Sequence, residues 1–282
     1  MPCGILSSVN ALERSCVRLR HHPVLENIPV WQIVRPVYNT FLNILTSRKG
    51  LERTINGTDS VRLHPRWRGI SENCEPLVWK DLMSNIRRGD VVVDVGSFIG
   101  LYTIASAMRV GPNGSVTAFE PEPTNFKWLQ RHVALNHVED RVRLVRAAVG
   151  HRVGEGRFVV GRDLQSHMGD IQDGRFTVHV TTLDEEFPTQ RVDLLKVDVE
   201  GFEERVLQGG ARLLKDDSRC PRTVYIEVHP YAWKEVGTSS ESLVWLLKEC
   251  GYRASKLDGQ PVDVIDCYGE VVAHKNLDNR QP

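Results

Sequence analysis

The stretch VVVDVGSFIG, Val91 to Gly100, continued by LYTIASAMRVGPNGSVTAFE to Glu120, decides the fold of this chain. Its consecutive valines followed by Asp94 read as a buried β-strand. The strand runs into a turn that carries Gly96 and Gly100, and the apolar residues beyond it read as a helix. Glycine suits such a turn because it leaves no Cβ where backbone approaches a ligand, and because it tolerates positive φ. The free N–H groups at the start of the following helix then face bound polar groups. Ser115 to Phe119 reads as the second strand, with Glu120 at its tip, where a carboxylate is placed to accept hydrogen bonds from ribose hydroxyls.

The same alternation continues on both sides. Upstream, Leu77, Val78, Leu82, Met83 and Ile86 are expected on one helical face that ends at Arg87-Arg88-Gly89-Asp90. Downstream, helices are expected over Pro123 to Asn136, Phe202 to Leu214 and Glu241 to Cys250. Strands are expected at Val142 to Val145, Leu194 to Val197 and Thr223 to Val228, with Val271 to Ala273 finishing the sheet. Strands alternating with helices of this length specify a doubly wound, mostly parallel sheet that binds ligands at the carboxyl ends of its strands. The glycine-rich insertion 154–183 holds strand-like pieces at Arg157 to Val160 and Phe176 to Val180, readable as two added strands or as a loop covering the site.

Residues 1–70 form an N-terminal extension ahead of a main domain at 71–282. In it, Leu25 to Leu45 has partly helical apolar spacing interrupted by Pro29 and Pro36. This segment reads as a helix that packs on the main domain or on a second copy of the chain, which would make a homo-oligomer; a membrane contact or a lid are the sharper alternatives. Asn56-Gly57 centres a hairpin between Leu51 and Leu63, and is read as a turn rather than as a glycosylation sequon.

With 36 basic and 36 acidic residues among 282, the formal net charge is zero, and no nucleic acid partner is expected. The 6 cysteines form no CxxC pair and no zinc-ligand spacing. No apolar run reaches the length of a transmembrane segment, and Glu13-Arg14 stand where a signal peptide would be hydrophobic, so a cytoplasmic location is expected.

The turn reads Asp94-x-Gly96-x-x-x-Gly100, without the second glycine that admits a pyrophosphate and without a P-loop lysine. A ligand with a ribose and no phosphates fits better, and S-adenosylmethionine is the common one. DVGSFIGLYT and AFEPEP resemble motifs I and II of class I S-adenosylmethionine-dependent methyltransferases, and DLLKVDVEGFEERVLQGG from Asp193 to Gly210, with TLDE upstream, resembles the FkbM family. The resemblance spans about Glu75 to Val228. It implies an α/β, Rossmann-like fold with a seven-stranded sheet and helices on both faces, and methyl transfer to a hydroxyl oxygen of a small molecule or glycan. Methylation of nucleic acid or protein, and a non-catalytic scaffold, are the alternatives.

By position, the resemblance makes Asp94, Gly96, Ser97 and Gly100 line the methionine end of the cofactor and Glu120 bind its ribose. Phe98 stands where the family commonly has asparagine, so its side chain cannot supply that hydrogen bond. Asp94 may equally be read as bonding loop amides. Ala147-Ala148 offers side chains small enough for a planar base, with Ala148 the candidate, and Glu75 is a further candidate cofactor contact.

Asp198 and Glu200 follow the fourth strand, and Glu227 and His229 end the fifth. Asp198, Glu200 and His229 are the catalytic candidates, because an aliphatic hydroxyl needs a base to begin removing its proton. The same carboxylates could instead hold a divalent metal, and Glu200 could simply cap the next helix. His167, in the insertion, is a lesser candidate. Lys196, inside a strand, requires a carboxylate to neutralise it, with Asp193 or another as partner.

Overall fold

A computed structural model of the chain describes residues 48–160, 166–168 and 176–276, together with Thr40 and Thr46. The expected helix between Leu25 and Leu45 therefore lies, but for Thr40, outside the described residues. Two units are distinguished, one running to Cys74 and including Ala134–Asn136, the other formed by Glu75–Val133 and the chain from His137 onward.

In the first unit, β1 (Leu51–Ile55) pairs antiparallel with β2 (Asp59–Leu63), Leu51 opposite Leu63. Asn56 and Gly57 take φ of 50° and 72°, and Thr58 N–H donates to Ile55 O at 3.0 Å. Positive φ at both central residues matches the right-handed strand twist, which is why Asn-Gly makes the turn as expected. Leu51, Ile55, Val61 and Leu63 are buried on one face of this hairpin.

The chain then alternates through α1 (Pro76–Asn85), β3 (Val91–Val95), α2 (Leu101–Val110), β4 (Ser115–Phe119), α3 (Pro123–Leu135) and β5 (Val142–Val145). Four strands follow, β6 (Ala148–Val149), β7 (Gly154–Val160), β8 (Ser166–Met168) and β9 (Phe176–Thr181), then the short α4 (Leu183–Glu186). The last part holds β10 (Leu194–Val197), α5 (Glu203–Gln208), α6 (Ala211–Lys215), β11 (Thr223–Val228), α7 (Pro230–Val236), α8 (Ser240–Glu249), β12 (Tyr252–Ser255) and β13 (Gly269–Lys275).

The main sheet has 7 strands in the order β5-β4-β3-β10-β11-β13-β12. Neighbours from β5 to β11 pair parallel, and β13 runs antiparallel to both β11 and β12. This is the Rossmann-like, doubly wound arrangement read from the sequence. Val93, Val95, Leu195, Val197, Val224 and Ile226 of its central strands are buried in one core cluster. Strand order reverses between β3 and β10, and in open α/β sheets that reversal leaves a crevice at the carboxyl strand ends. Gly96 and Asp198, just past those two ends, meet there. Strands β7, β8 and β9 of the insertion join β6 in a second sheet of 4 strands, β6-β9-β7-β8, so the insertion holds one strand more than the two pieces expected.

Two local expectations are corrected, and two elements go beyond those expected. Leu77 is 71% exposed whereas Trp79 is buried, because the inward stripe of α1 is Val78, Trp79, Leu82 and Met83 and Leu77 falls on the other side of the helix. The single helix expected over Phe202 to Leu214 is two helices broken at Gly209-Gly210. A Cβ on Gly209 would lie 1.9 Å from Gly150 O, so that glycine is required by close backbone approach, and one on Gly210 would lie 2.9 Å from the Leu183 side chain. Helix α7 and strand β12 lack an expectation altogether; Pro230 at the first helical turn and Gly237 in the left-handed region after the last are the signals that mark α7.

Candidate functional site

The turn after β3 is held by its own polar groups. Gly96 and Ser97 N–H both donate to Phe119 O at 3.0 Å, and Ser97 Oγ donates to Asp94 O at 2.8 Å. Gly96 has φ 86°, and a Cβ there would lie 1.7 Å from Asp198 O. Gly100 has φ 94°, and its Cβ would meet Leu129 Cδ1 at 2.5 Å. Both glycines adopt the positive φ expected of the turn, and at Gly96 the close approach that excludes a Cβ is made by the protein's own Asp198 backbone.

Asp94 is buried at the end of β3, where Thr103 Oγ1 donates to its Oδ2 at 2.6 Å while Oδ1 has no hydrogen-bond partner. Burial raises its pKa, against the opposing pull of the Lys196 cation. A buried carboxylate oxygen with a vacant lone pair is costly unless a donor arrives.

Glu120 is also buried, accepting from Phe98 N–H (Oε2, 2.9 Å) and Glu122 N–H (Oε1, 2.9 Å). Burial pushes its pKa up to about 8, more than those amide bonds pull it down. It does not cap the following helix: Glu122 does, taking Asn125 N–H at 2.5 Å. Phe98 contributes its backbone N–H rather than its side chain, at a φ of 50° that a bulky residue rarely adopts. The N–H of Glu120 donates to Val145 O at 3.1 Å, so the chain leading to Ala148 passes beside it. Ala148 itself is buried with Val178 and Val180 in the second sheet.

Across the crevice, Lys196 is buried in β10, with Nζ 3.0 Å from Asp198 Oδ2 and 4.7 Å from the Tyr102 ring centroid. Burial would lower its pKa, but Asp198, Asp94, Glu75 and Glu227 together raise it, so Lys196 is a fixed cation. Asp193 is not its partner: that carboxylate takes Val91 N–H at 2.9 Å and pairs with Arg191 and Arg222. Glu75 sits at the start of α1 with φ 38°, and Tyr102 donates to its Oε2 at 2.6 Å.

His229, buried past the end of β11, has Nδ1 2.7 Å from Glu203 Oε1. Glu203 is wholly buried in the first turn of α5 and also accepts from Gly201 N–H and from Trp233 Nε1, each at 2.8 Å. With a carboxylate accepting at Nδ1, the ring proton resides there and Nε2 presents its lone pair in the neutral imidazole. Nε2 lies 3.4 Å from Glu200 Oε2 and 3.8 Å from Glu227 Oε1. Burial lowers the pKa of His229, but Glu203, Glu200 and Asp198 outweigh it and the net shift is upward.

Glu200, at φ 50°, accepts from Tyr231 Oη at 2.7 Å, and the residue bonding the amide at the turn before α5 is Glu203. Glu227 accepts from Tyr268 Oη, and burial with the nearby Asp198 charge pushes its pKa up to about 8. Glu75, Phe98 and Glu200 are three of the 5 non-glycine residues with positive φ among the described residues.

The structure therefore brings Asp198, Glu200 and His229 together, with Asp94 reached through Lys196. His167 falls in β8. The sequence reading missed Glu203, Tyr231, Trp233 and Tyr268. Asp198, Glu227 and His229 also offer metal-ligand atoms within 4.8 Å of one another. Lys196 and Tyr268 already occupy two of those three side chains, so the donor set does not require an ion.

Among the described residues, no helix is long and apolar enough to cross a membrane. A family model of the methyltransferase FkbM domain matches residues 94–254. Methyltransferase sdnD of Sordaria araneosa is 26% identical over 163 residues, covering 45% of this chain and 62% of that protein, so the match spans less than two thirds of that relative. The crystal structure of an FkbM methyltransferase from Methylobacillus flagellatus aligns with TM-score 0.43 and 17% identity, covering 66% of this chain and 43% of that one. An S-adenosylmethionine-dependent O-methyltransferase from Thermotoga maritima gives 0.42 and 16%, covering 71% and 64%. An rRNA methylase from Streptococcus thermophilus gives 0.42 and 12%, covering 73% and 99%.

Proposed function

The chain belongs to the FkbM family of S-adenosylmethionine-dependent methyltransferases, and we propose that it transfers the methyl group to a hydroxyl oxygen of a small molecule or glycan, with His229 as the base. When bound, S-adenosylmethionine supplies a methyl group already activated for transfer, and this chain's residues have to hold it, align the acceptor and take up one proton.

On the cofactor side, Asp94 Oδ1 is the acceptor without a partner, suited to the amino group of the methionine moiety. Glu120 can keep its two amide bonds and still accept ribose hydroxyls, since a carboxylate has about four lone-pair sites. Gly96, Ser97, Phe98 and Gly100 are assigned to the methionine end of the cofactor, Ala148 to the neighbourhood of its adenine and Glu75 to the edge near Tyr102.

On the acceptor side, the Glu203–His229 pair carries the reading. His229 Nε2 would take the acceptor's O–H proton as the methyl group passes to the oxygen and the electrons of the broken S–CH3 bond stay with the departing S-adenosylhomocysteine, and Glu203 would stabilise the imidazolium that results. Glu203 touches neither reactant and is a positioning residue. Glu200 and Asp198 stand where they can accept a hydrogen bond from the acceptor. A positioned base of this kind contributes about 100- to 10,000-fold. Lys196 already supplies a cation at 3.0 Å from Asp198, so this mechanism routes no step through a metal. The zero formal net charge favours a small acceptor over nucleic acid. Transfer of labelled methyl to a hydroxyl panel, in the wild type against His229→Gln, tests the assignment.

A further inference from the structure

Lys196 and Asp94 are partners in the parallel ladder between β10 and β3, so their side chains leave the same face of the sheet. Helix α2 meets both with consecutive residues. Thr103 Oγ1 donates to Asp94 Oδ2 at 2.6 Å, and the Tyr102 ring centroid lies 4.7 Å from Lys196 Nζ. Both ionisable side chains are buried. A buried carboxyl tends to keep its proton and a buried ammonium to lose one, unless an opposite charge stands close by.

Lys196 has such charges on every side: Asp198 at 3.0 Å past the end of its own strand, Asp94 on β3, Glu75 ahead of α1 and Glu227 on β11. It is held as a cation. Asp94 is less well served. The Thr103 and Ser97 hydroxyls are its neutral neighbours, Asp198 repels its charge, and β4 sets Ala118 opposite it. Lys196 is the cation that acts on it, and burial outweighs that single charge, leaving the Asp94 pKa raised. Asp94 Oδ1, without a hydrogen-bond partner, is where a second cation would complete the balance.

We propose that Lys196 is a positioning residue for the cofactor: acting through Asp94, it lets this buried carboxyl ionise when the methionine ammonium of S-adenosylmethionine arrives at Oδ1. Two cations then share one carboxylate, and the amino-acid end is held by a charged pair instead of a hydrogen bond to a carboxylic acid. Without Lys196, the ammonium has to ionise Asp94 alone, against both burial and the Asp198 charge. The adenosine end, assigned to Glu120, is indifferent to Lys196. The inference rests on the assignment of Asp94 to the methionine amino group.

The test measures two ligands on the full chain by calorimetry at neutral pH. S-adenosylhomocysteine carries the amino-acid end, and methylthioadenosine keeps the adenosine and the sulfur without it. Lys196→Met should weaken S-adenosylhomocysteine binding by about tenfold or more where Asp94 is present. In an Asp94→Asn background the same substitution should cost less than about twofold, and methylthioadenosine affinity should stay within about twofold in every variant, which reports folded protein. Equal losses in both backgrounds, as a purely structural Lys196 would give, would overturn the inference. So would full affinity in Lys196→Met when Asp94→Asn weakens S-adenosylhomocysteine. Asp94→Asn without effect would instead remove the amino-group assignment, and the inference with it. If Lys196→Met loses methylthioadenosine as well, carboxyl-carbon NMR of the wild type decides, with the Asp94 signal assigned by its loss in Asp94→Asn. Asp94 should be ionised in the S-adenosylhomocysteine complex at neutral pH, and a carboxyl still protonated there would overturn the inference.

Discussion

Glu203 Oε1 lies 2.7 Å from His229 Nδ1, and the same wholly buried carboxylate is fixed by Gly201 N–H and Trp233 Nε1. The imidazole is therefore held in one tautomer and one orientation, with Nε2 towards Glu200 and Glu227.

The pH dependence of methyl transfer follows from this pair. His229 must be neutral to accept a proton, and its pKa is shifted above the ordinary 6.5. Activity should therefore be low in acid and rise with pH through a midpoint above about 6.5. Glu203→Gln removes a charge that favours the imidazolium, so the midpoint should move down while kcat falls. A purely structural Glu203 would lower the amount of active protein without moving the midpoint, and a pH profile of kcat/KM separates the two.

Glu120 makes cofactor binding pH-dependent in a defined direction. Its pKa stands at about 8 in the free protein, because burial outweighs its amide bonds. Ribose hydroxyls donating to it favour the ionised form, so binding releases a proton below that pH and affinity should rise with pH by up to about tenfold per unit, levelling off above it. Hydrogen bonds to a charged group contribute roughly 1.5 to 3 kcal/mol, so Glu120→Ala should weaken binding by about tenfold or more. Calorimetry checks both, and affinity unchanged in Glu120→Ala would remove Glu120 from the cofactor site.

Gly96 and Gly57 separate backbone strain from steric conflict. Both have positive φ, but an added Cβ at Gly57 meets nothing within 4 Å whereas at Gly96 it meets Asp198 O at 1.7 Å. Gly57→Ala should cost about 1 to 2 kcal/mol. Gly96→Ala should cost more than about 3 kcal/mol, since β3 and β10 cannot part without breaking their ladder. Urea midpoints measure the difference, and equal losses would contradict the close approach.

Independence from metal is checked with a strong chelator. Lys196 and Tyr268 already engage Asp198 and Glu227, so methyl transfer should survive chelation undiminished. Activity lost on chelation and restored by a divalent ion would assign Asp198, Glu227 and His229 to a metal instead.

The sheet was legible because each parallel strand is a short apolar run bounded by glycine, proline or charge: Val91–Val95, Ser115–Phe119, Val142–Val145, Leu194–Val197 and Thr223–Val228 stand where the sequence sets them. In all of them but the edge strand Val142–Val145, burial on both faces leaves little freedom of register. The candidate site was legible only in part. Asp94, Glu120, Asp198 and His229 sit at strand tips, a position the chain order already specifies. Glu203 is in the first turn of a helix, where a carboxylate ordinarily reads as solvent-exposed support for the helix dipole. Only the fold shows it turned inward onto His229. Tyr268 is distant in sequence, and β13 alone brings it to Glu227. Leu77 and Trp79 exchange roles because the helical period sets Trp79 on one stripe with Val78, Leu82 and Met83 and turns Leu77 to the opposite side.

The most direct test of the account is transfer of isotopically labelled methyl from S-adenosylmethionine to a panel of small-molecule alcohols and glycosides, with products identified by mass spectrometry, in the wild type and in His229→Gln. The account predicts a labelled methyl ether from the wild type, and formation slower by about 100-fold or more in His229→Gln at unchanged S-adenosylhomocysteine affinity. Methyl ether formed at the wild-type rate by His229→Gln, or label found on nitrogen or carbon instead of oxygen, would contradict it.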